Sequence, residues 1–211
     1  MKQLDIRQVK RTYTTHLIPA LACFGYTEPT DRPHIGDLVV AEVLSLGKHS
    51  TIESTTGQII NIFPGDILIG AFGNRYATDQ YEGYVPAQWP ETCDLLSIGG
   101  VCGEVVSAHS SMAAPTRLRV LGALCRADGR PLNLRAFALP APSMPVSGQT
   151  ILVVGTAMNS GKTTTVGTLA RALSRAGFRV AAAKLTGTAA GKDGRFFMSC
   201  GASPVLDFTR C

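Results

Sequence analysis

Residues 151–165, "ILVVGTAMNSGKTTT", decide how the chain is read. Ile151–Val154 is a short apolar run of the kind that makes a buried strand. Gly155 breaks it, and Gly161-Lys162-Thr163 opens a segment with helical periodicity. A strand that ends in a glycine-bearing loop and feeds a helix is built for phosphate: backbone N–H groups turn inward and the positive end of the helix dipole adds to them. The common loop of this kind reads G-x-x-x-x-G-K-[ST]. Here five residues separate Gly155 from Gly161, and Thr156 stands where the first glycine of that pattern belongs.

Each loop residue has an expected task. Lys162 reaches the β- and γ-phosphates, and the Thr163 hydroxyl binds Mg²⁺. Gly155 permits the turn and Gly161 allows close backbone approach. Asn159 and Ser160 add side-chain donors, and Thr156 and Thr164 complete the candidate nucleotide-binding set. Beyond the loop, Val166, Leu169, Ala170 and Leu173 fall on one helical face, and Gly177 sits where a C-cap is expected. "RVAAAKLTG" (179–187) reads as a second strand, "FFMSCGA" (196–202) as a short helix and "PVLDF" (204–208) as a third strand. Strand–helix–strand connections of this kind require parallel pairing.

Upstream, "PAPSMPVSG" (Pro140–Gly148) is a linker by its Pro, Ser and Gly content. It separates residues 1–140 from 149–211. The first part is strand-rich. "GDLVVAEVLSLG" (36–47) and "PGDILIGAFG" (64–73) echo each other, because in both a Gly-Asp pair opens an apolar strand. "STIES" and "IINIF" flank the turn "TTGQ". "GVCGEVVSAHS", "TRLRVLGAL" and "LNLRAFAL" read as three more strands, the last two joined by the turn "RADGRP". The expected fold is therefore a mainly-β, small barrel-like N-terminal domain followed by a partial parallel α/β P-loop domain. Between the strands, "GNRYATDQYEGY" (73–84) mixes Arg75, Tyr76, Tyr81 and Tyr84 with Asp79 and Glu82, and the two acids argue against a nucleic-acid surface.

Composition narrows the rest. Charged residues are 17% of the chain against 45% apolar, which excludes general disorder. The net charge of +5 favours anionic partners. The cysteines form no C-x-x-C pair and the four histidines no H-x-H or H-x-x-x-H pair, so the sequence offers no zinc site. The apolar patch Leu17–Phe24 is too short to span a bilayer. A cytoplasmic protein with reduced thiols and no membrane partner is expected.

"GTAMNSGKTT" (155–164) resembles the loop of dethiobiotin synthetases, which also reads Gly-Thr, four residues, Gly-Lys-Thr. The resemblance extends to the wider P-loop class of the MinD/Mrp ATPases and related amidoligases. "KLTGTAAGKDGRFFMSCGASPVL" (184–206) is similar to the region after the first helix in the MobB-type GTP-binding adaptor of molybdenum-cofactor biosynthesis. There a lysine closes the second strand, and Gly-Lys-Asp and then Gly-Ala precede the third. Here these are Lys184, Gly191-Lys192-Asp193 and Gly201-Ala202.

The first resemblance implies an ATP-dependent ligase or NTPase with Mg²⁺, in which a γ-phosphate activates a small-molecule acid. Lys162 and Lys184 would be its catalytic lysines, Thr186 a further contact, and Asp193 and Asp207 would join Thr163 at the metal. The second implies a non-catalytic GTP- or ATP-binding adaptor that works through a protein partner. A third reading makes the β domain the working interaction module and the loop a truncated relic.

The resemblance covers residues 149–208, under a third of the chain. The 63 residues from 149 to 211 offer three strands, whereas sheets of this type have about five. No Asn-Lys-x-Asp string appears, and no Walker B carboxylate beyond Asp207. A truncated longer protein is expected; the alternatives are a homo-oligomer or partner subunit that completes the sheet, or a minimal binding module.

Overall fold

A computed structural model describes residues 1–77, 80–140, 148–156, 159–187 and 189–210. The linker read at 140–148 falls outside them except for its end residues, as do Asp79, Ala157 and Met158. The chain divides into two units, Met1–Phe137 with Thr188–Gly191, and Ala138–Gly187 with Lys192–Cys211. Among the described residues no helix is long and apolar enough to cross a membrane.

The first unit is mainly β. Its strands are β1 (Lys2–Gln3), β2 (Val9–Arg11), β3 (Gly25–Thr27), β4 (Leu38–Ser45), β5 (Thr51–Glu53), β6 (Ile59–Asn61), β7 (Ile67–Phe72), β8 (Arg75–Tyr76), β9 (Tyr81–Tyr84), β10 (Thr92–Leu95), β11 (Val101–Ala108) and β12 (Thr116–Cys125). All but the β5–β6 hairpin belong to one sheet in the order β1-β3-β12-β4-β7-β11-β9-β8, with β2 added to β7 and β10 paired to both β11 and β12. That double pairing closes β12, β4, β7, β11 and β10 into a ring of ladders, so that none of these five is an edge strand.

Closure explains the unbroken apolar runs. Val39, Ala41 and Val43 on β4 join Leu68 and Phe72 on β7 in one core, with Leu95, Cys102 and Leu118. The alternate residues Leu38, Val40, Ile69 and Ala71 turn into a second core with Ile18, Leu124 and Leu132. A strand covered on both faces has no polar side to show in its sequence.

The Gly-Asp echo is a structural repeat. His34–Asp37 and Phe63–Asp66 are turns of the same kind, closed by Asp37 N to His34 O (3.1 Å) and Asp66 N to Phe63 O (3.0 Å). Each places glycine at the third position with positive φ, +88° at Gly36 and +90° at Gly65, as a type II turn requires. Each aspartate folds back to accept the N–H of the turn's first residue, His34 or Phe63, at 2.7 Å. The N–H of Gly36 then donates to Phe72 O, and that of Gly65 to Val43 O, both at 2.8 Å. Since β4 and β7 are antiparallel, each turn seals the far end of the other's strand.

The reading of "LNLRAFAL" as a strand is corrected: after one bridge between Asp37 and Asn133 the chain enters a 3-10 turn, Leu134–Phe137. Asn133 diverts it. Its Oδ1 accepts the Arg135 N–H (2.9 Å) while its Nδ2 donates to Asp37 (2.8 Å) and to Ile35 O (3.1 Å). An Asx turn of this kind competes with ladder pairing.

The second unit holds helix α1 (Lys162–Arg175), strand β13 (Ala182–Lys184), helix α2 (Lys192–Ser199) and strand β14 (Val205–Asp207). β13 and β14 pair in parallel, with Lys184 opposite Asp207. α1 ends as its glycine predicts: Gly177 has φ +88°, its N–H meets Ser174 O, and Phe178 N–H reaches Leu173 O. Two expectations are corrected. The apolar face of α1 is rotated, with Gly167 and Ala170 buried and Leu169 exposed. A side chain at Gly167 would overlap the Phe196 ring of α2, so the missing Cβ admits that ring and turns the face. The run 151–154, expected as a buried strand, pairs with no strand among the described residues, and Ile151, Leu152 and Val154 are 61%, 70% and 77% exposed. β13 and β14 pair only with each other there, so the run has no ladder to join.

Candidate functional site

The loop before α1 folds back on itself. A methyl at Gly155 would overlap Ser160 Oγ and come within 3.1 Å of Lys162 Cγ, so the glycine lets the two ends of the loop touch. Asn159 adopts φ 61° and Gly161, the residue capping α1, φ 85°. These left-handed conformations suit Asn and Gly. They bring Lys162 to the first position of α1, where its ammonium donates to Ser160 Oγ at 3.1 Å. Thr163 is half-buried in the first helical turn, while Thr156 and Thr164 are exposed. The N-terminal turn of a helix, with a lysine at its start, places backbone donors and a positive charge together.

The other predicted residues gather around Lys184 at the end of β13. Its ammonium is ion-paired to Asp193, in the first turn of α2. Burial first, and then the positive charges of Lys192 and Lys162, hold Lys184 below its usual value; Asp207 pulls the other way. The charges of Lys162 on α1 and Lys192 on α2 thus both bear on Lys184 at the end of β13. Lys192 lay outside the candidate set read from sequence; its position beside Asp193 in the Gly-Lys-Asp string was the available signal. Asp207 Oδ1 accepts the Thr209 N–H at 3.0 Å and also the Thr209 hydroxyl.

Among the described residues no three His, Cys, Asp or Glu side chains come together as a metal group. Mg²⁺ does not demand one, since it keeps several waters and takes its remaining ligands from phosphate oxygens and one or two protein oxygens. The Thr163 hydroxyl with Asp193 or Asp207 is a donor set of that chemistry.

The polar, aromatic stretch of the first unit at 73–84 turns two of its members inward. Arg75 and Tyr81 are buried, and Tyr76 is exposed with its ring edge-on to Tyr84. Arg75 donates to Leu96 O and Gln80 Oε1. The histidines carried no special role in the sequence, yet His49 is buried beside this arginine, with Nε2 3.2 Å from Leu96 O. Burial, then the Arg75 charge, pull its imidazole from the usual 6.5 down to about 4.

The unfolded chain therefore takes up that proton before the folded one. His49 contributes its full share above pH 6.5, and that share is lost as pH falls toward about 4. At roughly 1.4 kcal/mol per pH unit the loss approaches about 3 kcal/mol. Urea midpoints measured from pH 7.5 to 4.5 should fall steeply in the wild type, and less in His49→Gln by the share of that one group; parallel curves would contradict the assignment.

Comparison with protein-family models, with curated proteins and with solved structures finds no match for this chain.

Proposed function

We propose that the 155–164 loop and Lys184 bind a Mg²⁺–nucleotide, ATP ahead of GTP, and that the protein belongs to the dethiobiotin synthetase-like class of P-loop proteins. The observation that carries this reading is the loop geometry at the start of α1, where left-handed Asn159 and Gly161 set Lys162 beside Ser160 at the first helical position, with Lys184 held by Asp193 in the same unit. A triphosphate is the kind of polyanion that helix N–H groups beside a lysine hold. In this reading the parallel β13–β14 pair is part of a P-loop sheet.

Such a site acts by position and charge. The loop N–H groups and Lys162 hold the β- and γ-phosphate oxygens, Thr163 holds Mg²⁺, and the metal neutralises phosphate charge. Asp193 keeps Lys184 aimed at the γ-phosphate side, where a carboxylate acceptor would receive it. The adaptor reading draws on a different observation. Ile151, Leu152 and Val154 are exposed on a run without a ladder partner among the described residues, as expected where a partner protein or second copy completes the sheet.

Lys184→Ala should weaken Mg²⁺–ATP binding about ten-fold, the worth of one charge-assisted contact. Calorimetric titration of the full chain with ATP and GTP, with and without Mg²⁺, checks this. Unchanged affinity in a folded variant would remove Lys184 from the site, and stronger binding of GTP would favour the adaptor class.

A further inference from the structure

The two Gly-Asp turns of the first unit have the same backbone but different surroundings. At Asp66 the carboxylate is ion-paired to Lys10, whose ammonium also donates to Asn61 O at 2.9 Å and lies over the Phe63 ring. That end carries its own cation. At Asp37 no lysine or arginine takes that place among the described residues; its partners are the neutral amide of Asn133, at 2.8 Å, and the imidazole of His34, with Nδ1 at 3.8 Å. Beside it lies a cavity of about 720 Å³, whose lining includes Arg32 and Arg135. Neither guanidinium has a carboxylate partner among the described residues.

The remaining wall divides by chemistry. Ile35, Val85 and Pro86 supply apolar surface, and Ile35 is 58% exposed. Asn74 is held by accepting the Val85 N–H at 2.9 Å. Asp37, the only carboxylate of the lining among the described residues, already accepts from His34 N and from Asn133. Two unpaired arginines, fixed amides and an apolar wall around a space this large match the make-up of small-ligand sites.

We propose that this cavity binds a small organic anion, its carboxylate or phosphate held by Arg32 and Arg135 and its carbon skeleton laid against Ile35, Val85 and Pro86. The site lies wholly within the β unit, so it is independent of the nucleotide reading.

The test is calorimetric titration of the full chain with two probes, glutarate for a carboxylate and glycerol 3-phosphate for a phosphate. Each is repeated in Lys162→Ala, so that phosphate held by the 155–164 loop does not count. The expected result is saturable binding of at least one probe that survives Lys162→Ala and falls at least about ten-fold in Arg32→Gln/Arg135→Gln. The probe that binds tells carboxylate from phosphate recognition. Both arginines are exposed, so the double variant should keep the wild-type thermal midpoint. Ile35→Glu, which sets a like charge on the wall and leaves the arginines in place, should abolish the same binding. Absence of saturation by both probes in the folded wild type, or equal binding in the arginine variant, would overturn the proposal.

Discussion

Gly100→Ala should cost about 4 kcal/mol of stability, enough to leave a marginal domain largely unfolded. Gly100 ends the turn from β10 into β11, with its N–H on Ser97 O and its carbonyl accepting from Ala71 at 2.9 Å. Its φ of +94° disfavours any L side chain. A methyl there would also overlap Thr12, a fully buried residue. Thr12 cannot give way cheaply, because its hydroxyl donates to Ile69 O at 2.7 Å and contacts Thr14 Oγ1 at 2.9 Å. Strain and overlap therefore add. Urea denaturation of the single variants and of Gly100→Ala/Thr12→Gly separates them. The double variant should lose less than the sum of the singles, because the overlap is gone while the backbone strain remains. Additive losses would mean that the contact with Thr12 contributes nothing.

Lys162→Ala should weaken Mg²⁺–ATP binding about 100-fold, roughly 2.8 kcal/mol, with little change in stability. The side chain is only half-buried, and its ammonium donates locally to Ser160 Oγ. Its loss should leave the core of Ala170, Phe197 and Ala202 intact. The same residue sits in the electrostatic field of Lys184, so removing it should also let the Lys184 ammonium rise toward its ordinary value. Calorimetry reads the first effect and amine-resolved NMR titration the second. Wild-type affinity in the variant would show that phosphate does not sit at the start of α1.

Local chemistry was legible in the sequence where one or two residues dictate the backbone. The Gly-Asp echo, the Gly177 cap, the start of α1 after Gly161 and the short strand around Val205–Asp207 follow from turn geometry and helix periodicity. Long-range pairing was not. The ring closes because β10 joins both β11 and β12, and nothing in "TCDL" distinguishes one partner from two. Asn133 turned a strand-like run into a 3-10 turn through a carboxylate far away in sequence at Asp37. Gly167 rotated the buried face of α1 because a glycine has no hydropathy signal, yet admits the Phe196 ring. The apolar run 151–154 read as buried because its composition is that of a strand, but burial needs a neighbour as well as a composition. Of the candidate site, the loop residues were read from motif spacing and Lys184 from the family resemblance. Lys192 entered only through its charge acting on Lys184, and the buried His49 beside Arg75 carried no motif at all.

Amide hydrogen exchange of the full chain, with and without saturating Mg²⁺–ATP, tests the central claim most directly, because that claim concerns backbone N–H groups at the start of α1. The account predicts slowed exchange in residues 159–165, with the β4 and β7 amides unchanged and the protection lost in Lys162→Ala. Nucleotide binding that leaves 159–165 unprotected, or no protection anywhere at millimolar Mg²⁺–ATP in the folded protein, would contradict it.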